Sequence, residues 1–238
     1  MLDLYVSSVN KGAGKTFVSA GLAATMQSLG YQTTVYKPIQ TGGIEFNGFM
    51  QSPALTFVKT IDPFIETHFT YLFKEKSEPL IAAEDENVQI DASIIERDFK
   101  KVRSFSDCLI ADGECGIMSP IAPNFQTIDM IKMLQMPVLF VVSPDVDSTN
   151  NILMSIQVAL EKGITINGVV VNNIQEGVKS SSLTSLIRII EEYTPVKVLG
   201  LIPNLGVNTA PQELISGILN GVDIESVFNV KIEKLECC

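Results

Sequence analysis

Residues 7–16 read "SSVNKGAGKT" and follow directly on an apolar, β-branched run that begins at Leu2. A buried strand that passes through a glycine-punctuated turn into Gly-Lys-Thr and a helix is the pattern of a phosphate-binding loop. Gly12 and Gly14 allow the backbone to approach an anion closely, Lys15 can reach the outer phosphates of a nucleotide, and Thr16 can hold Mg²⁺. The expected nucleotide contacts in this stretch are Gly12, Ala13, Gly14, Lys15, Thr16 and Phe17. Two features depart from the usual pattern: Val9 stands five positions before Gly14 where a glycine normally opens the loop, and Lys11 adds a cation in its middle. A tight turn that merely starts a helix is the bland alternative, and the location after the first strand argues against it.

The rest of the chain repeats the alternation. The runs "QTTVYKP", "DCLIAD", "PVLFVVS", "INGVVVN" and "VKVLGLI" read as further buried strands. Helical periodicity occupies 15–29, 91–103, 126–135, 148–162 and 180–192. Strands that alternate with helices predict an α/β fold with a mostly parallel central sheet and helices on both faces. The least regular stretch, 41–90, is expected to form loops and short helices that cover a site. Ligands in such folds bind at the carboxyl ends of the strands, so function is sought at 7–16, 37–43, 112–121, 143–151, 172–175 and 203–209.

Composition narrows the classes. The 238 residues suit one domain spanning 1–238, with 226–238 as a frayed C-terminal tail. With 17 basic against 27 acidic residues the formal charge is −10, which repels nucleic acid and anionic lipid. No stretch predicts a signal peptide or a membrane span, so a cytoplasmic protein is expected. Cys108, Cys115, Cys237 and Cys238 show no metal-ligand spacing and read as reduced thiols, and His68 reads as a surface side chain.

Two further segments carry chemistry. In "YKPIQTGG", Lys37 ends a strand where it can neutralise a transferred phosphoryl group or a substrate carboxylate, and Thr41 follows in a polar loop. In "ADGECG", Asp112 and Glu114 project the same way if strand geometry persists, and either can take a Mg²⁺ coordination place; an ordinary Asp-Gly turn is the alternative.

Taken together, these residues resemble the dethiobiotin synthetases, relatives of the MinD and ParA group of P-loop ATPases. The resemblance spans nearly the whole chain and rests on "GKT" at 14–16, "KPIQTG" at 37–42, "SEPLIAAEDENVQID" at 77–91, "DGECGIMSPI" at 112–121, "GVVVNNI" at 168–174 and "LGLIPNL" at 199–205. It implies a P-loop NTPase fold and an ATP- and Mg²⁺-dependent ligase. In the implied reaction, 7,8-diaminononanoate and CO₂ form a carbamate, ATP phosphorylates it, and the neighbouring amine closes the ring to dethiobiotin. By position, Lys15 and Lys37 would stabilise the carbamate and γ-phosphoryl oxygens, with Thr41 and Lys11 beside them. Thr16 and either Asp112 or Glu114 would hold Mg²⁺, and Thr41, Ser148 and Asn150 would contact substrate. Asn172 would read the adenine, next to the loop that starts with Pro203, Asn204 and Leu205. The family also implies a homodimer whose substrate site lies at the interface.

The departures from the family cluster in the metal and substrate sites. Pro53 stands at the position of a Mg²⁺-binding Asp, Asp112 replaces a Glu, and Glu114 and Cys115 replace small residues. In the loop itself the family's opening glycine is Ser8, while Lys11 and Gly12 replace a hydroxyl and an acid. At the start of the helix that receives the substrate carboxylate, Asp147 would repel that carboxylate unless it points away. Alternative readings are a regulatory ATPase of the MinD and ParA type, whose signature lysine falls where Asn10 stands here, and a divergent paralogue acting on another small substrate.

Overall fold

The computed structural model describes residues 2–206 and 209–232. In chain order the elements are β1 (Leu2–Ser8), α1 (Lys15–Ser28), β2 (Thr33–Gln40), the hairpin β3 (Ile44–Phe46) and β4 (Phe49–Gln51), α2 (Pro53–Ile61), β5 (Glu66–Leu72), α3 (Pro79–Asp85) and α4 (Ala92–Arg103). Then follow β6 (Cys108–Asp112), the short pair β7 (Pro120–Ala122) and β8 (Phe125–Gln126), α5 (Thr127–Leu134), β9 (Val138–Val142), α6 (Thr149–Glu161), β10 (Ile166–Ile174), α7 (Ser180–Tyr193), β11 (Val198–Pro203), α8 (Pro211–Gly221) and α9 (Ile224–Phe228).

Among the described residues, seven strands form one sheet in the order β11-β10-β9-β1-β6-β2-β5. Every neighbouring pair runs parallel. Side chains alternate between faces along each strand. Leu4 and Val6 therefore enter one core layer while Tyr5 enters the other. The first layer is closed by α1, α2, α8 and α9 through residues such as Val18, Val58, Ile218 and Val227, and the second by α4, α5, α6 and α7 through Phe99, Ile131, Ile156 and Ile190. Burial on both faces explains why the central strands read as continuous apolar runs. Helix α1 is nearly encased because small residues let its neighbours close in. A Cβ at Gly21 would lie 2.7 Å from Ile218 on α8.

The expected strands and helices occur with shifts of a few residues at their ends. The stretch 41–90 departs from expectation, because it contains β5, which pairs with β2 and forms the sheet edge. An edge strand is covered only in part, so Glu66, Thr67, His68 and Thr70 break the apolar signal that marks the central strands. His68 is correspondingly half-buried, its ring stacked 5.9 Å from that of Tyr36. The segment expected as a tail begins inside α9, whose Val227 and Phe228 are buried; residues 233–238, with Cys237 and Cys238, lie outside the described residues. No helix among the described residues is long and apolar enough to cross a membrane.

Candidate active site

At the carboxyl ends of the strands, the loop between β1 and α1 curls around the first turn of α1. Gly12 and Gly14 adopt φ values of +92° and +88°, in the left-handed region that disfavours any residue with a Cβ. Gly14 is also pressed against Asn172 so closely that an added Cβ would overlap the Asn172 amide. Asn172, from the end of β10, donates through Nδ2 to the Ala13 carbonyl at 2.9 Å and so braces the loop from outside. Within the loop, Ser8 Oγ donates to the Asn10 carbonyl at 2.6 Å and accepts from Lys15 Nζ at 2.7 Å. Burial pulls the Lys15 ammonium below the ordinary lysine range, with Asp112 offsetting part of the effect.

A buried charge cluster lies beside Lys15. Lys37 Nζ contacts Asp112 Oδ2 at 3.0 Å, the Gly113 carbonyl at 3.0 Å and Glu114 Oε2 at 3.2 Å, which matches its three donors with three acceptors. Burial alone would lower its pKa, but Asp112 and Glu114 together outweigh burial and raise it, so Lys37 stays charged. Asp112 also accepts from Thr16 Oγ1 at 2.8 Å and Ser19 Oγ at 3.3 Å, while Glu114 accepts from Thr41 Oγ1 at 2.7 Å. The carboxylates of β6 and its following loop do project together, onto one lysine. Lys15 and Lys37 balance Asp112 and Glu114 in charge.

The donor chemistry fits Mg²⁺ at one point. Thr16 and Asp112 put a hydroxyl and a carboxylate oxygen side by side, the small protein share that Mg²⁺ takes when phosphates and water supply the remaining places. No group of three or more His, Cys, Asp or Glu among the described residues could hold a metal without such help. Pro53 occupies the first turn of α2, where Ser52 caps the helix through Leu55 N, and it contributes no ligand.

Two clefts flank the loop. One, of about 720 Å³, is lined by Gly12, Thr16, Phe17, Asn172, Asn204 and Leu205 among others. Eight of the ten expected nucleotide contacts line it, Pro203 among them, whereas Ala13 and Lys15 do not; Phe57, stacked 6.2 Å from Phe17, lines it too and comes from the irregular 41–90 stretch. Asn173 and Thr209, which fall in the 172–175 and 203–209 loops where function was sought, also line this cleft. The other cleft, of about 670 Å³, is bordered by Asn10, Lys11, Glu78, Cys115, Met118 and Ser155.

Some expected site residues turn elsewhere. The half-exposed Lys11 reaches Glu78 Oε1 at 3.4 Å and the Ser77 carbonyl at 3.3 Å, at the start of α3. Ser148 caps α6 by accepting from Asn151 N, and the exposed Asn150 lies in the first turn of that helix; neither lines a cleft at the loop. Asp147 is buried and turned inward, with Oδ2 accepting from Ser143 N at 2.7 Å and Oδ1 from Asn10 Nδ2 at 2.9 Å. Asp147 is thus turned into the protein, with both carboxylate oxygens engaged by donors, and not out from the helix start.

A family profile described as an AAA domain matches residues 3–212. An ATP-dependent dethiobiotin synthetase of Methanococcus vannielii is 30% identical over 199 residues, covering 84% of this chain and 92% of the relative. That of Bacillus licheniformis is 27% identical over 230 residues, covering 96% and 97%. Among solved structures, the MinD cell division protein of Aquifex aeolicus superposes with a TM-score of 0.54 at 13% identity, covering 96% of this chain and 94% of that one. MinD complexed with Mg-ADP from Pyrococcus horikoshii OT3 gives 0.54 at 15%, covering 90% and 85%. At those identities the MinD likeness speaks for the fold alone.

Proposed function

The chain belongs to the dethiobiotin synthetase family of P-loop ATPases, and from that premise we propose that it converts 7,8-diaminononanoate, CO₂ and ATP into dethiobiotin, ADP and phosphate, a step of biotin biosynthesis. The observation that carries this reading is the meeting of Lys15, Lys37, Thr16 and Asp112 at the mouth of the phosphate loop.

The chemistry asks for position and charge. One amine adds to CO₂ and loses a proton, giving a carbamate. A carbamate oxygen attacks the γ-phosphorus as the bond to ADP breaks, and the second amine then attacks the carbamoyl carbon as phosphate leaves with its oxygen. Negative charge gathers on oxygen throughout, so fixed cations in a dry site lower the barrier more than a strong base would. Lys15 reaches the outer phosphates from the helix start, where the α1 amides add their dipole. Lys37 is assigned to the transferred group and the carbamate, which it would meet by exchanging one of its present contacts with Asp112, the Gly113 carbonyl or Glu114. Thr16 and Asp112 would hold Mg²⁺, which supplies charge neutralisation on the phosphates. The buried Thr41 lines neither cleft and donates its hydroxyl to Glu114, so its part in this reading is to hold that carboxylate against Lys37. The cleft beside Phe17, Asn172 and Leu205 takes the nucleoside, and the cleft bordered by Val9, Met118 and Pro120 takes the alkyl chain.

We place the protein in the cytoplasm as a single-domain homodimer, in which Ser148 and Asn150 of one protomer receive the carboxylate of substrate held by its partner. The exposed apolar side chains of Met118, Val146 and Met154 support an interface around the start of α6. The test is incubation with diaminononanoate, ATP, Mg²⁺ and ¹³C-bicarbonate, followed by mass spectrometry. Labelled dethiobiotin is the expected product, and its absence from a folded, ATP-binding preparation refutes the assignment.

A further inference from the structure

We propose that Asp147 is a positioning residue for nucleotide binding, acting as a strut between the turn after β9 and the leading half of the phosphate loop. The residue is only 8% exposed, and its oxygens accept from Ser143 N at 2.7 Å and Asn10 Nδ2 at 2.9 Å, with the Asn10 backbone N–H directed at the same carboxylate. Asn10 Nδ2 also lies 3.3 Å from the Val146 carbonyl, so one loop side chain grips two successive residues of the neighbouring turn. The turn is itself closed by Asp147 N donating to the Ser143 carbonyl at 2.9 Å. Asn10 thus connects inward as well: its carbonyl receives Ser8 Oγ, and Ser8 Oγ receives Lys15 Nζ.

The contacts run unbroken from Lys15 through Ser8 and Asn10 to Asp147 and Ser143. Residues 8–11 lack the helical ladder that steadies 15 onward, and the loop glycines add conformational freedom. A loop that must order on binding loses affinity, so a strut that orders it beforehand contributes affinity without touching the nucleotide. A buried carboxylate bonded to two N–H donors is well suited to that task, since charge-assisted bonds are the stronger kind. Asp147 does this work for the phosphate loop, and the α6 start with Ser148 is attached to the same strut.

This inference rests on nucleotide being held at the phosphate loop and is independent of the amine substrate. Its test is calorimetric titration of the full chain with ATP and Mg²⁺, with the melting temperature of the nucleotide-free protein measured alongside. Asn10→Ala and Asp147→Ala are each expected to weaken ATP binding roughly fivefold, the value of one hydrogen bond. The double variant should weaken it no further than the single ones, because both remove the same strut. Asn10→Asp sets two carboxylates against each other and should weaken binding more; adding Asp147→Asn restores a donor and acceptor across the gap and should recover part of the loss, the contact with the Val146 carbonyl staying absent. Unchanged affinity in the single variants, multiplicative losses in the double, or failure of the exchanged pair to recover would each overturn the strut. An unsubstituted chain that does not bind ATP would overturn both this inference and the nucleotide reading.

Discussion

Replacing Lys37 with Met keeps the length of the side chain and removes its charge. Asp112 would then lie 1% exposed and Glu114 13% exposed, both without the cation that now sits 3.0 and 3.2 Å from them. Asp112 would retain Thr16 and Ser19 as donors, and Glu114 would retain Thr41. Breaking one partner out of a buried ion pair costs about 3–5 kcal/mol, because the remaining charge is left uncompensated. Against a typical stability of about 5–15 kcal/mol the variant should still fold. For a chain of this size each kcal/mol is worth about 2–4 °C, so melting should fall by roughly 6–20 °C. Urea unfolding followed by circular dichroism gives the free energy directly. Adding Asp112→Asn should return part of the loss, since it removes one of the stranded charges. A Lys37→Met chain within about 1 kcal/mol of the parent would show that Lys37 does not compensate these carboxylates, and the account of a neutral buried cluster would fail.

Gly14→Ala should abolish measurable ATP binding in a chain that still folds, because it forces a Cβ into φ +88° and into Asn172; titration showing parental affinity would refute the loop geometry. Asp112→Asn should raise the Mg²⁺ concentration needed for half-maximal turnover more than Glu114→Gln does, because Asp112 is the one beside Thr16; the reverse order would move the metal to Glu114. Cys108 and Cys115 are buried and burial pushes both thiols up, so iodoacetamide in mildly alkaline buffer should leave them unmodified until denaturant is added. Peptide mapping that finds either alkylated in the native protein would contradict the packing around β6.

Much of the fold was legible because its strands are buried on both faces. Leu4, Tyr5 and Val6 are all inaccessible, which is why β1 shows no polar break. β5 was not legible, since a half-covered edge tolerates Thr67, His68 and Thr70 on a strand. At the site, Gly12, Gly14, Lys15 and Thr16 were readable from local spacing, and so was the shared direction of Asp112 and Glu114. Lys11 and Asp147 were not readable, because their roles depend on partners far away in sequence. Lys11 meets Glu78 across the second cleft, and Asp147 finds its donor on Asn10, 137 residues earlier. Phe57 reaches the cleft beside Phe17 through the packing of α2 on α1, a contact no local spacing reveals.

On the proposed function, ATP turnover serves the closure of a urea ring on a vicinal diamine. The most direct test is to measure ADP release with diaminononanoate and bicarbonate together and with each left out in turn. ADP should form only when both are present, in one-to-one ratio with dethiobiotin. ADP release that continues unchanged without the diamine would contradict it.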